Sequence, residues 1–283
     1  MHSLIYPEVA ANIDMNSYKI EAGTAQHIGN RPQQNDRVAV YSGARAPGYM
    51  LAVLADGVAG GATASEQVLH TAKLLFDEFK PGDAPSVERL SQLLREIVHE
   101  THLVIKLNAV AIETEQQCTF VALLLTPSGQ AVWAHVGDSR LYRFEKSECK
   151  ARTGDASYID HLMETDRLPA EAARNHRHSK LLVNVLGNSR KEPYVAIGSH
   201  DGLKAGDCFL LCTDGLWHFF TDAELGAVLA KNSPRQASEM LIDKAGERAQ
   251  GKGGNCTMAI VKLVAAPKEA SPVYKVQKMG RAV

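Results

Sequence analysis

Apolar residues along this chain come in two patterns. The first is the short, nearly unbroken run bounded by Gly, Pro or Asp. Met50–Ala55, Gln117–Thr126, Gln130–Val136, Asp207–Thr213 and Asn255–Val264 read this way, as buried strands of ordinary length. Weaker alternation over Tyr18–His27 predicts a first strand. Gly29-Asn-Arg-Pro32 ends it, and Val38–Tyr41, Leu141–Phe144 and Tyr194–Gly198 add short strands. The second pattern is helical. Val68, Ala72, Leu75 and Phe79 share one face of Ala62–Lys80. Leu90, Leu94, Ile97 and Leu107 do the same from Ser86 to Ala109, with Ser86 as N-cap and Pro81-Gly82 between the two helices. Thr221-Asp-Ala-Glu224 has the form of a capping box for a helix to Ala230. Ser233-Pro234 opens another, to about Gln250.

The strands 117–126, 130–136 and 141–144 follow one another through tight connections and predict a three-stranded antiparallel meander. Strands and helices are clustered rather than alternating, so the fold class is α+β with antiparallel sheets, not a doubly wound sheet. One domain is expected over 18–265. An irregular lead-in (1–17) precedes it, and a disordered tail (266–283) follows, with Pro, Lys and Arg but no periodicity. From about 152 to 189 hydrophobicity falls and charge rises, which predicts a flap over one end of the sheets. Its cluster Arg174-Asn-His-Arg-His-Ser-Lys180 reads as a solvated or substrate-facing basic loop rather than a metal site of His176 and His178. His99 and His102, on the second helix, read as packing residues.

Composition narrows the function classes. A net charge of −1 over 283 residues gives no basic surface for nucleic acid or anionic membrane. No apolar run is long enough to span a bilayer, and the first residues lack a signal-peptide pattern. The five cysteines are dispersed, and Cys208 and Cys212 face the same side of one strand without zinc-type spacing. Buried thiols in a reducing cytoplasm are the expectation, and the protein is expected to be a monomer.

The chemistry concentrates in aspartates. Asp36, Asp56, Asp138 and Asp214 each sit where a strand meets a glycine or a turn. A carboxylate at a strand end is firmly held yet reaches solvent, and suits hard cations such as Mg²⁺ or Mn²⁺. Several carboxylates sharing a small volume raise one another's pKa unless cations neutralise them. Two divalent ions held this way share a hydroxide and clamp phosphoryl oxygens. Spacing alone leaves open whether the four meet.

Read together, these motifs resemble the type 2C metal-dependent serine/threonine protein phosphatases of bacterial type. Arg31-x-x-x-x-Asp36 resembles the first family motif, Asp56-Gly57-Val-Ala-Gly-Gly61 the Asp-Gly-x-Gly-Gly motif, and Gly137-Asp138-Ser-Arg140 the Gly-Asp-Ser-Arg motif. Thr213-Asp214-Gly-Leu216 matches Thr-Asp-Gly-Leu, and Gly254-Asn255-Cys-Thr257 resembles Asp-Asn-x-Thr. The resemblance implies a four-layer α-β-β-α sandwich: two antiparallel sheets flanked by helices. It implies two Mn²⁺ or Mg²⁺ ions, with a third in some members. The ligands would be Asp36, Asp56, the Gly57 carbonyl and Asp214, with Asp138 at the third ion. Arg31 would bind the phosphoryl group of a phosphoprotein made by a serine/threonine kinase. Arg31, Asp36, Asp56 and Asp214 are then the catalytic set.

The chain departs from the pattern in three places. Gln34-Asn35 replaces the usual pair before the first Asp. Val58 stands where many eukaryotic members carry a histidine, thought to be a general acid. Gly254 stands where the family has its last metal-binding Asp. The first two leave the carboxylates intact. The third motivates an alternative, a pseudophosphatase or phosphoprotein-binding regulator with a weakened metal site, unless water or Asn255 fills the missing position. Under the active reading, Gly254→Asp is expected to tighten Mn²⁺ binding. A third possibility, a structural domain whose aspartates only make turns, fits poorly with five motifs in family order.

Overall fold

The computed structural model describes residues 18–58, 61–82, 86–154 and 184–266. Strands β1 (Tyr18–His27), β2 (Arg37–Ser42), β3 (Met50–Ala55) and the two-residue β4 (Gly57–Val58) precede helices α1 (Ala62–Glu78) and α2 (Val87–Ile112). Next come β5 (Gln117–Cys118), β6 (Phe120–Leu125), β7 (Gln130–Val136), β8 (Arg140–Glu145) and β9 (Glu148–Arg152). Strands β10 (Ala196–Asp201) and β11 (Asp207–Cys212) lead into α3 (Asp214–Trp217), α4 (Asp222–Lys231), α5 (Pro234–Ala249) and β12 (Cys256–Ala265). One sheet runs β1-β12-β11-β8-β9 and the other β10-β7-β6-β3-β2, all antiparallel, with β4-β5 as a small ribbon.

The apolar runs are unbroken because both faces of the central strands are covered. On β3, Leu51, Val53 and Ala55 pack with Val68, Phe76, Leu90 and Ile97 of α1 and α2. Met50, Ala52 and Leu54, on the other face, meet Phe209, Leu211, Val261 and Leu263 of the opposite sheet. A third core joins Leu210, Cys212, Met258 and Ile260 to Leu216, Leu225, Leu229 and Leu241 of α3–α5. Three cores between four layers make the α-β-β-α sandwich. Each fully buried Leu or Phe contributes about 1.5–3 kcal/mol relative to exposure.

The predicted helices hold, with Ser86 capping α2 by accepting the Arg89 N–H at 3.2 Å. Both Thr221/Glu224 and Ser233/Gln236 form complete capping boxes. Leu107 is 70% exposed and lies off the apolar face assigned to it. The run 117–126 is two strands, broken at Thr119, and the strand expected at Tyr194–Gly198 begins at Ala196.

The meander is corrected. β6 and β7 pair, but β8 leaves for the other sheet, where it lies between β11 and β9. The second edge of β7 is taken by β10 instead. Sequential strands pair only about two-thirds of the time, and here side-chain alternation decides. Leu141 faces the inter-sheet core, while Tyr142 and Phe144 face the outer helices.

The segment expected to be a flap is described only at its ends. Residues 155–183, including His176, His178 and the basic cluster, lie outside the described residues, as do the lead-in and nearly all of the tail. The end at 184–189 is not flap-like at its start. Val185 and Leu186 are buried, and Leu186 exchanges backbone hydrogen bonds with Cys118. All five cysteines are unpaired, and four are buried. Among the described residues no helix is long and apolar enough to cross a membrane.

Strand register places the chemistry. Asp36 precedes β2 and Asp56 follows β3, and the pairing of Arg37 with Ala55 sets them at the same end of one sheet. Asp214 follows β11 and Asn255 precedes β12, at the matching end of the other, where Cys212 pairs with Met258. The β7–β8 turn with Asp138 reaches that end too, since Val136 pairs with Phe120 and Arg140 with Cys212.

Candidate active site

Asp36 and Asp56 are brought together by close backbone packing. A Cβ on Gly57 would lie 2.8 Å from the Asn35 carbonyl oxygen and 2.5 Å from that of Gly61, so only glycine lets these segments approach. The buried Ser65 hydroxyl of α1 donates to the Asn35 carbonyl. Arg37 braces the same turn, donating to the carbonyls of Gln34 at 2.7 Å and Asp36 at 2.9 Å, and to Glu66 at 2.6 Å.

Asp36 is fully buried. Its Oδ2 accepts from the Thr213 hydroxyl at 3.0 Å, while Oδ1 is buried with no hydrogen-bond partner. Burial pushes its carboxyl up to about 6, against the pull of hydroxyl donors Thr257 and Thr213. Asp56 is raised well above the ordinary carboxylate value, first by burial and then by the charges of Asp36 and Asp214; Arg31 opposes this weakly. The Asp36 and Asp56 carboxyls lie near enough to act on each other's ionisation.

Asp214 opens α3 and is the most exposed of the three. Its Oδ2 is 3.7 Å from His218 Nδ1, and its charge is felt by both Asp36 and Asp56. Among the described residues no three His, Cys, Asp or Glu side chains close tightly on one point. The arrangement is a tight pair with a third carboxylate beside it. Asp138 joins through its backbone: its carbonyl accepts the Trp217 indole N–H at 3.0 Å. The Arg140 guanidinium lies 3.4 Å from the centre of the Trp217 ring.

A layer of hydroxyls and amides beneath these groups was not singled out in the sequence. Thr119 Oγ1 accepts the Asp56 N–H at 3.0 Å and pairs with the Ser139 hydroxyl at 2.7 Å. Its own N–H donates to the Asp56 carbonyl at 2.9 Å. Thr119 therefore breaks the 117–126 run because its hydrogen bonds hold Asp56. Thr257 donates its N–H to Thr213 Oγ1 at 3.0 Å and accepts from Gln34 Nε2 at 3.1 Å. Ser139, Thr213 and Thr257 stand inside the family motifs without a role assigned there, and the sequence signal for Thr119 was a polar position inside an apolar strand.

Asn255 does not fill the missing ligand position. Its Oδ1 accepts the Asn35 N–H at 2.8 Å, and its Nδ2 donates to the carbonyls of Ile28 at 2.8 Å and Gln33 at 3.0 Å. The amide is spent holding the loop that carries both Arg31 and Asp36. Gly254 has ordinary space around it: a Cβ there would meet only Arg31, at 3.7 Å from Nε and 3.8 Å from an Nη.

The donor set fits divalent cations. Burial pushes both carboxyls above the ordinary carboxylate range, and one Asp36 oxygen is left without a hydrogen-bond partner; a bound hard cation would relieve both. Asp36, Asp56 and Asp214 would hold it. Burial raises the thiols of Cys118 and Cys256, and the nearby aspartates add to it, so neither is poised as a thiolate nucleophile.

The relatives agree. A serine/threonine phosphatase, stp, of Listeria welshimeri is 30% identical over 75% of this chain and 83% of its own length. The catalytic domain of the phosphatase PstP, solved in complex with two manganese ions, superposes with a TM-score of 0.65 at 25% identity, over 88% of this chain and 100% of that one. The serine/threonine phosphatase of S. agalactiae shares the fold, with a TM-score of 0.70 at 22% identity over 86% of this chain and 99% of the other. The sequence model of the protein phosphatase 2C family matches residues 23–243. With its motifs in family order and its carboxylates gathered at one end of an α-β-β-α sandwich, the chain belongs to the protein phosphatase 2C family.

Proposed function

We propose that this protein hydrolyses phosphoserine and phosphothreonine in proteins with Mn²⁺ or Mg²⁺ as cofactor. One observation carries the reading: Asp36 and Asp56 occupy one buried volume, with Asp214 beside them, and Arg31 near Asp56. In this role Asp36, Asp56 and Asp214 would be the carboxylate ligands, the Gly57 carbonyl would add a neutral oxygen, and Asp138 would serve a further ion. When bound, the ions supply a water activated as nucleophile and neutralise charge on the phosphoryl oxygens. Arg31 orients the phosphoryl group, its planar fork matching two phosphate oxygens. Thr119, Thr213 and Thr257 fix the carboxylates so that no reorganisation is needed when substrate arrives. With Val58 in the second motif, no side chain there acts as a proton donor. The unpaired thiols fit a reducing cytoplasm, and three cores closing within one chain fit a monomer. The substrates in this reading are products of a serine/threonine kinase.

The test is hydrolysis of a phosphothreonine peptide with Mn²⁺, with Mg²⁺ and with chelator. Turnover with either metal, lost on chelation and restored by Mn²⁺, is expected. Turnover that survives complete metal removal overturns the reading.

A further inference from the structure

His102 reads in the sequence as a packing residue, and it is fully buried in α2, yet its imidazole does more than fill space. Its Nδ1 accepts the Gly187 N–H at 3.1 Å, and its Nε2 lies 3.4 Å from Glu192 Oε2. Both partners belong to the loop 184–194. The Asn184 side chain clasps the base of that loop, accepting the Tyr194 N–H at 2.8 Å and donating to the Tyr194 carbonyl at 2.9 Å. Leu186 exchanges two backbone hydrogen bonds with Cys118, at 2.9 and 3.3 Å, and so extends the β4–β5 ribbon by one bridge. In that ribbon Cys118 pairs with Gly57, the residue after Asp56. The loop also meets the β7–β8 turn, where a Cβ on Gly137 would lie 3.4 Å from the Asn184 carbonyl oxygen. It therefore touches both the segment that follows Asp56 and the turn that precedes Asp138.

The Gly187 backbone is packed too tightly for water to replace the imidazole. Its φ is +82°, and a Cβ there would lie 2.1 Å from the Gln116 carbonyl oxygen and 2.5 Å from Ile105 Cγ2. An acceptor at Nδ1 places the ring proton on Nε2, toward Glu192. A second proton goes to Nδ1 and turns the acceptor into a donor facing a buried N–H. His99 and Lys106 on α2 and Glu192 on the loop act on the ring, while α1, β6 and β7 contribute apolar side chains to the core behind α2. Lys106 also pairs with Glu192, at 3.4 Å, so that carboxylate is shared. Burial lowers the imidazole pKa from its ordinary value; Glu192 opposes this, and Lys106 and His99 add to it. The ring is therefore neutral and the Gly187 bond intact at neutral pH, and the bond is lost as pH falls through the lowered value.

We propose that His102 is a positioning residue for the catalytic end of the sandwich: as a neutral imidazole it holds the loop 184–194 against β5, and a proton at Nδ1 releases that loop from the ribbon beside Asp56. The consequence for turnover rests on the phosphatase reading above, whereas the hold on the loop stands apart from it.

The experiment compares wild type with His102→Asn, whose side-chain oxygen keeps an acceptor without titrating, and His102→Leu, which has none. Amide hydrogen exchange is read by NMR at about pH 7.5 and about pH 5, on either side of the range in which histidine titrates. Each rate is normalised to its intrinsic value at that pH, with the β3 amides of Ala52 and Val53 as reference. Steady-state kinetics on a phosphothreonine peptide with Mn²⁺ follow over the same range. In wild type the Leu186, Gly187 and Cys118 amides should lose about tenfold in protection at the lower pH, as one buried donor left without a partner implies. Ala52 and Val53 should keep theirs. His102→Asn should match wild type at the higher pH and keep its protection at the lower, where its kcat/KM should exceed that of wild type by about threefold. His102→Leu should show the weakened amides at both pH values; if it does not fold, His102→Asn carries the test. Equal losses in wild type and His102→Asn, or wild-type amides that do not respond to pH, overturn the inference. Exchange as expected with identical kcat/KM profiles overturns the positioning role. A wild type that turns over no phosphothreonine peptide with either metal overturns the functional reading instead, while the exchange rates still decide whether His102 holds the loop.

Discussion

Asn255 links the two halves of the site: one buried amide holds three backbone groups of the loop that carries Arg31 and Asp36. Asn255→Ala should cost about 1–3 kcal/mol of stability, since it leaves buried partners unpaired. It should also lower kcat/KM about 10- to 100-fold, as removal of a supporting group beside a metal does, with inorganic phosphate inhibition weakened in parallel. Steady-state kinetics with a denaturant melt separate the two effects. Asp56→Asn removes a charge at the centre of the cluster and should lower activity by more than about 100-fold. Full activity in that variant would remove Asp56 from the catalytic set. His102, buried in α2, accepts the Gly187 N–H at Nδ1 at 3.1 Å, while Nε2 is 3.4 Å from Glu192. Burial lowers its pKa, outweighing the pull of Glu192. A depressed histidine keeps its full contribution above the unfolded value of about 6.5 and loses it as pH falls through the folded one. Melts at pH 8 and pH 5.5 should show that loss. His102→Asn, which keeps an acceptor but does not titrate, should flatten it.

At the scale of elements, local preference and packing are in conflict at Gly226 on α4. Helix propensity favours Ala over Gly by about 1 kcal/mol. A Cβ there, however, would lie 2.0 Å from the Ser147 carbonyl oxygen in the β8–β9 turn. Backbone cannot yield that distance cheaply, so Gly226→Ala should destabilise by about 1–3 kcal/mol, with the change read as a shift in denaturant midpoint. Packing therefore wins over propensity. Thr221→Ala and Ser233→Ala each remove half of a capping box and should cost about 1 kcal/mol. Their kinetic constants should stay at wild-type values, because neither helix start touches the carboxylates.

Across the whole molecule, the site spans two sheets. Asp36 and Asp56 belong to one, Asp214 to the other, and the core between those sheets lies directly behind them. A cation held by all three carboxylates joins the layers and binds only the folded chain. Mn²⁺ at about a hundredfold excess over its Kd should add about 2.7 kcal/mol, or about 5–10 °C in Tm. Asp214→Ala should lose most of that gain while keeping the metal-free Tm within about 2 °C, because Asp214 is largely outside the core. A scanning melt with Mn²⁺ and with chelator measures both.

The sequence by itself determined the elements and the identity of the chemistry. Strands covered on both faces read as unbroken apolar runs, helices carry their caps, and the five motifs name the aspartates and Arg31. Those signals are local, set by backbone geometry and by which face each side chain presents. Only the tertiary structure decided the rest. It sent β8 to the second sheet, broke the strand at Thr119 to hold Asp56, and turned the Asn255 amide away from a ligand role. It also set Gly254 against Arg31 rather than in open solvent. Each of these is a contact between segments tens to hundreds of residues apart. The energy that selects it comes from burial and hydrogen-bond satisfaction in three dimensions, to which neither periodicity nor motif spacing is sensitive.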